Sequence, residues 1–296
     1  MTYYTDEMNT SAEETSLPPF NREEWIQQKK AEREKAFALV REVSDLLPHD
    51  GERFKNCLDL MSRFGRYSVS NILLLEAQKP DARKLGDFQS WKDMGESIKK
   101  GETGIMILEP GKEYTRKDVK TAVSYNVKRV FDISQTSLPF ALSPFTKQDG
   151  RLLIRSLVQN APCRFESVEA GQLPNGRSAC YDAEKNTIYA VPGTETSRLF
   201  RDMTVALAEA HLELGEYSTE HKIGKTACVS YILCVRNEID TSGFDLSNLP
   251  PYVQGMNGQQ MRDYLGDIRD VANAITRDMD RFFDKIKGVP ERDDAR

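Results

Sequence analysis

The stretch "GQQMRDYLGDIRDVANAITRDMDRFFDKIK" (258–287) sets Met261, Leu265, Ile268, Val271, Ile275, Met279 and Phe282 three or four positions apart. That spacing predicts one amphipathic helix with an unbroken apolar stripe. At about 1.5 Å of rise per residue the helix is roughly 45 Å long. So long a stripe must be covered, by the rest of its own chain or by a partner's helix. Packing onto its own chain is the expectation.

The rest of the chain supplies material for such a core. It has 296 residues, 39% hydrophobic and 29% charged, enough for two medium domains. No apolar run approaches the roughly 20 residues that span a bilayer. A soluble, cytoplasmic protein without membrane contact is expected. Residues 1–19 are polar and acidic and read as a lead-in rather than a secretory signal. The five cysteines, Cys57, Cys163, Cys180, Cys228 and Cys234, are odd in number and contain no C-x-x-C pair. They fit buried thiols better than a disulfide framework or a zinc ribbon.

Periodicity changes once along the first half. Helical patterns cover 21–46, with Asn21 as N-cap and Trp25, Ala36, Leu39, Val40 and Val43 on one side. Helices follow over 51–64 and 68–78, the last stopped by Pro80. "GETGIMILEP" and "YNVKRVFDISQT" then read as strands, with "GKEYTRKDVKTAV" (111–123) between them as a loop or hairpin tip. Helices followed by a small sheet predict an α+β fold. Residues 141–150 read as a linker. Beyond it come a helix at 151–161, strands around "CRFES", "ACY" and "TIYAV", and helices at 195–214 and 225–236.

Net charge is -5, but residues 51–130 hold 16 Lys and Arg against 11 Asp and Glu, a local +5. A basic middle between acidic ends suits an anionic partner at one surface. Single strands are held by cations on phosphates and aromatic faces on bases. Arg63, Arg66, Lys92, Lys99, Lys100, Lys128 and Arg129 supply cations, interleaved with Tyr67, Phe88, Trp91 and Tyr125. Asn71 and Gln135 could hydrogen-bond bases or sugars. Trp91 opens an amphipathic segment and suits the core as well.

The ordered set "YSVSN", "QKPDA", "SWKDMGESIKKGETGIMIL" and "VFDISQT" resembles the N-terminal single-stranded-DNA-binding domain of the ArdC anti-restriction family, over about 20–140. The resemblance implies an α+β DNA-binding domain of conjugative plasmids and transposons, with conjugation or restriction proteins as further partners. The order "CYDAEKNTIYA", "ALAEAH", "CVSYILC", "IDTSGFDLSNLP" is similar to the zincin-type metallopeptidase domain that follows it in many relatives, here over 151–250, with 251–296 as a terminal helix and tail. Active members carry H-E-x-x-H, in which two histidines one helical turn apart grip zinc and the glutamate polarises water. Laid over this chain, the first histidine falls on Leu207, the glutamate on Ala208 and the acidic ligand near Ala227, leaving only His211. The resemblance therefore implies a non-catalytic pseudo-peptidase without a cofactor. Two alternatives stay open: a displaced zinc site using His211, Cys228 and His221, and a protein-interaction scaffold.

Overall fold

The computed structural model describes residues 21–116, 119–138, 149–215 and 217–288. The expected lead-in over 1–19, most of the 141–150 linker and Glu216 lie outside these residues. The fold is α+β. Helices α1 (Arg22–Leu46), α2 (Gly51–Arg63) and α3 (Val69–Gln78) precede strand β1 (Leu85–Gly86), helix α4 (Phe88–Asp93) and strands β2 (Ile105–Arg116) and β3 (Val119–Asp132). Helix α5 (Gly150–Gln159) leads to strands β4 (Arg164–Ser167), β5 (Ala179–Asp182) and β6 (Thr187–Ala190). The chain then runs through helices α6 (Thr196–Leu214), α7 (Lys222–Arg236), α8 (Pro251–Gln254) and α9 (Gly258–Lys287).

Local chemistry explains where helices begin. The Asn21 side chain accepts from the Glu23 and Glu24 amides, Asp50 caps α2 through Arg53 N, and Ser68 caps α3 through Asn71 N. Each satisfies an amide that the first helical turn leaves without a partner. Asn257 and Gln260 form a reciprocal capping box at the start of α9, and Gly288 ends it at φ 68°, a left-handed conformation that glycine adopts without strain. On α1, Ala36, Val40 and Val43 are buried, but Trp25 is 49% exposed. The apolar side of α1 therefore faces the core only over its C-terminal part.

The first sheet has the order β1-β3-β2 and is antiparallel; the second has the order β4-β6-β5, with β4 parallel to β6. Residues 111–123, expected as a loop or hairpin tip, are largely strand. Glu113 pairs with Val123, Tyr114 with Ala122 and Arg116 with Val119, with register shifts on either side of Glu113 and Tyr114. Ladder pairing carries through the irregularity around Pro110 and Gly111, where polar residues and turn formers suggest a break.

The free edge of β2 is closed by α3. The Asn71 side chain donates to Leu108 O (2.9 Å) and accepts from Leu108 N (2.7 Å). Gln78, seven residues on and so on the same helical face, does the same with Met106 O (3.0 Å) and Met106 N (2.9 Å). Two side-chain amides thus take the place of a neighbouring strand and blunt an edge that would otherwise invite another chain.

The α9 stripe packs onto its own chain. Met261, Leu265, Ile268, Val271 and Ile275 are each at most 2% exposed and join one apolar cluster with residues of α1, α2, α3, α6 and α7. The same cluster includes Leu207 and Ala208 of α6. Arg236, at the end of α7, pins this junction. Its guanidinium donates to Met61 O (2.9 Å) and Ser62 O (3.2 Å) in the last turn of α2. It also donates to Asn273 Oδ1 (2.9 Å), Thr276 Oγ1 (2.7 Å) and Ala272 O (3.4 Å) on α9. Burial pushes the guanidinium down to about 10. Gly65 is required beside it, because a Cβ there would stand 2.6 Å from an Arg236 nitrogen and 2.8 Å from Asn273 Oδ1.

Truncating Arg236 to alanine strands several carbonyls and side-chain acceptors, each worth about 1–3 kcal/mol when left unsatisfied in the interior. We expect Arg236→Ala to lower unfolding free energy by about 3 kcal/mol or more, and Gly65→Ala to be destabilising in the same assay. Chemical denaturation of both variants checks this; wild-type midpoints would refute the role given to the junction.

Candidate nucleic-acid interface

The structure sorts the residues predicted to meet nucleic acid into three groups. Asn71, Trp91 and Gln135 are buried, at 6%, 0% and 7% exposure, and are corrected from contact to structure. Asn71 is consumed by the β2 edge. Trp91 lies under β1, its Nε1 donating to Phe131 O at 3.0 Å, so its ring offers no face to a base. Gln135 closes a capping box with Asp132 and donates to Glu102 Oε2 (2.8 Å) and Thr103 O (3.0 Å). An amide or indole reads the same in sequence whether it satisfies backbone or ligand.

A second group is cationic but already engaged. Arg63 donates to Asp59 O (3.0 Å), Ala82 O (2.5 Å) and Pro80 O (3.2 Å). Lys128 sits between Asp87 (3.0 Å) and Glu109 (2.9 Å), and these hydrogen bonds raise its ammonium above the ordinary lysine range. Arg129 donates to Gly104 O (2.9 Å) and lies 4.0 Å from Glu32. The third group is exposed: Arg66, Lys92, Lys99 and Lys100. Lys99 reaches Ser134 O (2.8 Å), while Lys92 and Lys100 carry no hydrogen bond or ion pair among the described residues. Exposed Phe88 lies one turn from Lys92 on α4, and Lys84 lies over the Trp91 ring.

Arg63, Arg66 and Tyr67 are brought together at the mouth of a cleft of about 1850 Å³. One wall is the connection between α2 and α3, residues 63–67. The other is the outer face of α9, with Tyr217 and Asn160 at the margins. Seven cations line it: Arg63, Arg66, Arg236, Arg269, Arg277, Arg281 and Lys285, against Asp270, Asp280 and Asp284. The walls are tied where they meet, by Asn273 Nδ2 to Gly65 O (2.7 Å) and Arg269 to Tyr67 O (3.4 Å). Phe64 and Tyr67 pack at 5.7 Å between ring centroids. Burial raises the Asp280 carboxyl above its ordinary range, with Asp284 adding repulsion.

The α9 cations were missed by sequence reasoning. The signal was present: Arg277, Arg281 and Lys285 recur every four residues, a row along one helical face. It was overshadowed by the apolar stripe on the opposite side.

Residues 47–140 match the family model of the N-terminal domain of anti-restriction factor ArdC. That segment, less than half of the chain, is similar to the ArdC N-terminal domain. It is also 22% identical over 291 residues to an uncharacterized protein of Bacillus anthracis, across 79% of this chain and 49% of that protein. The chain thus spans about half the length of the curated relative it matches. Among solved structures, the Mn(II)-bound ArdC protein from plasmid R388 shares the fold at a TM-score of 0.52 and 12% identity, over 81% of this chain and 98% of that one. The metal-free structure of the same protein gives 0.48 and 14%, over 73% and 86%.

The matched segment, residues 47–140, contains the α2–α3 wall of the cleft but not the α9 wall. Beyond it, α6 carries the positions that the metallopeptidase resemblance aligns with metal ligands. Leu207 and Ala208 are 1% and 0% exposed inside the apolar core. His211 has a buried Nε2 without a hydrogen-bond partner, and burial together with Arg277 lowers its imidazole below the ordinary 6.5. His221 instead stacks on Tyr252 at 4.2 Å, and burial pushes the Cys228 thiol up to about 12. The displaced set of His211, Cys228 and His221 is not assembled: among the described residues no three His, Cys, Asp or Glu side chains converge on a point where a metal could sit.

Two outcomes follow from these placements. Trp91→Ala should lose about 3–5 kcal/mol of stability, as large aromatic truncations in cores do, whereas Trp91→Phe should fold and match the wild type in any affinity for an oligonucleotide. Thermal unfolding with an oligonucleotide titration checks both, and weakened binding by a fully folded Trp91→Phe would return Trp91 to the interface. His211 has a depressed folded-state value, so the unfolded chain takes up its proton first. The stability this residue contributes is therefore present above about pH 6.5 and lost as pH falls below it. Replacing His211 with leucine should flatten the stability profile below about pH 6.5, measured as the difference from wild type; parallel profiles would contradict this.

Proposed function

We propose that this chain is a non-catalytic, cytoplasmic, single-stranded-DNA-binding protein of a mobile genetic element, acting in anti-restriction or as a conjugative-transfer accessory. The ArdC N-terminal domain match over 47–140 carries the reading. Within that segment, Arg66, Lys92 and Lys100 are exposed cations without a hydrogen bond among the described residues, and Arg66 opens onto a cleft rich in arginine and bordered by Tyr67 and Tyr217. Such a surface captures a flexible anion through phosphate neutralisation and stacking, without reading sequence. Conjugation or restriction proteins would be the further partners. The zincin-like half would serve as scaffold: the positions aligned with the first histidine, the general-base glutamate and the acidic ligand hold Leu207, Ala208 and Ala227, whose side chains have no donor atoms.

One observation favours the rival, a metal-dependent peptidase. The ArdC protein of plasmid R388 has been solved with Mn(II), and His211 keeps an unpartnered nitrogen. A lone imidazole does not fit a metal that needs three or four protein donors, so no hydrolytic step is derived.

Titration of the full chain with single-stranded and duplex oligonucleotides at several salt concentrations, with metal content measured on the same sample, tests the reading. We expect preference for the single strand, affinity that falls steeply with salt, and a weaker, shallower dependence for Lys99→Ala with Lys100→Ala. Failure to bind a single strand at low salt, or stoichiometric metal lost in His211→Ala, would overturn it.

A further inference from the structure

We propose that the outer face of α9 is the second wall of the single-strand site, so that the nucleic acid runs out of the ArdC N-terminal domain and between residues 63–67 and α9. This rests on the single-strand reading and names where the strand lies. Three observations carry it.

The first is size. Small-molecule pockets hold about 300–1,000 Å³, and this cleft holds about 1850 Å³, which suits a polymer segment. The second is charge outside any close contact, since Asp280 acts on Arg66 and Asp278 on Arg277 only through space. Arg66 on one wall and Arg277 on the other are exposed, and neither carries a hydrogen bond or ion pair among the described residues. The neighbouring Arg269 and Arg281 are occupied by Asp270 (2.6 Å) and Asp278 (3.3 Å). Bound phosphates would compete for Arg281, whose carboxylate partner is a short surface contact of little worth. The third is spacing. Arg277, Arg281 and Lys285 advance by about 6 Å per step along α9, a stride comparable to that of successive phosphates on an extended strand.

Aromatic rings favour a single strand over a duplex. Phe64, Tyr67 and Tyr217 border the same cleft. Unpaired bases can stack on them, whereas a duplex keeps its base faces to itself. The interspersed aspartates Asp270, Asp280 and Asp284 limit the net positive charge. They favour a strand held at discrete cations over one drawn into a uniform field.

The test uses the full chain and fluorescently labelled oligothymidine, with Kd measured across a salt series. The variants are Arg277→Gln with Arg281→Gln on α9, Arg277→Lys as the charge-keeping control, and Lys92→Gln with Lys100→Gln outside the cleft. We expect the α9 double variant to weaken binding about tenfold. Its log–log salt slope should fall by about 1.4, at roughly 0.7 per phosphate on a single strand. Arg277→Lys should retain most of the affinity, and unchanged thermal unfolding of the variants shows that the loss is not misfolding. If the wild type binds the oligonucleotide and the α9 double variant matches it in affinity and slope, the second wall is refuted while the single-strand reading stands. If the wild type does not bind at low salt, the reading falls and the wall with it. If poly-L-glutamate displaces the oligonucleotide at equal charge, the cleft is a docking site for acidic protein, and the assignment to nucleic acid is overturned.

Discussion

Arg236 brings a full charge to the meeting point of α2, α7 and α9 without a carboxylate in contact. A desolvated charge of that kind is unfavourable unless its surroundings replace the lost water. Here the replacement is geometric. The final turn of α2 presents carbonyls with no intrahelical donor, at the negative end of the helix dipole, and Arg236 takes two of them, at Met61 and Ser62. The remaining donors go to Asn273, Thr276 and Ala272 on α9. One side chain thus ends a helix of the first half and fixes the terminal helix in rotation and register.

That fixation creates the cleft. With Gly65 held against Arg236 and its carbonyl bound by Asn273, the α2–α3 connection cannot move away from α9, so the two walls meet at a defined angle. Tyr231 adds a second tie, its hydroxyl 2.5 Å from Asp59 on α2. The apolar cluster spreads through both halves of the chain, and α9 closes over it from α1 and α3 on one side to α5, α6 and α7 on the other. A helix seated this firmly fixes where its outer cations emerge, which under the proposed reading would lower the ordering penalty of binding a flexible strand.

Elements governed by local chemistry were legible in the sequence. The Asn21 cap, the α9 stripe and the strands β5 and β6 each follow from residues a few positions apart. What was illegible depended on distant partners. Asn71 looks like a base-reading amide until Leu108 is placed opposite it, thirty-seven residues away. Trp91 looks like a stacking platform until Phe131 O is found above its indole nitrogen. The strand from 111 to 116 is held by its neighbour, not by its own composition. The cleft is the extreme case, since its walls are some two hundred residues apart: Gly65 bonds Asn273, and Tyr67 bonds Arg269.

The same core that seats α9 bears on the chemistry of α6. A hydrolytic metal centre keeps an open coordination position for water, which requires the ligand face of its helix to border solvent. On α6, Leu207 and Ala208 are packed in the shared cluster, the hydroxyls of Thr204 and Ser230 satisfy each other at 2.8 Å between α6 and α7, and His211 one turn on from Leu207 is half-buried. Aliphatic side chains at 207 and 208 place no polar demand on this interior, whereas histidine and glutamate there would need partners or metal to offset burial. His211 shows what burial does to such a group: its Nε2 has no hydrogen-bond partner among the described residues, and burial with the field of Arg277 lowers its proton affinity. The charge that acts on it belongs to the cleft. The buried imidazole of α6 and the exposed Arg277 of α9 therefore share one electrostatic environment, through the helix that Arg236 locks in place.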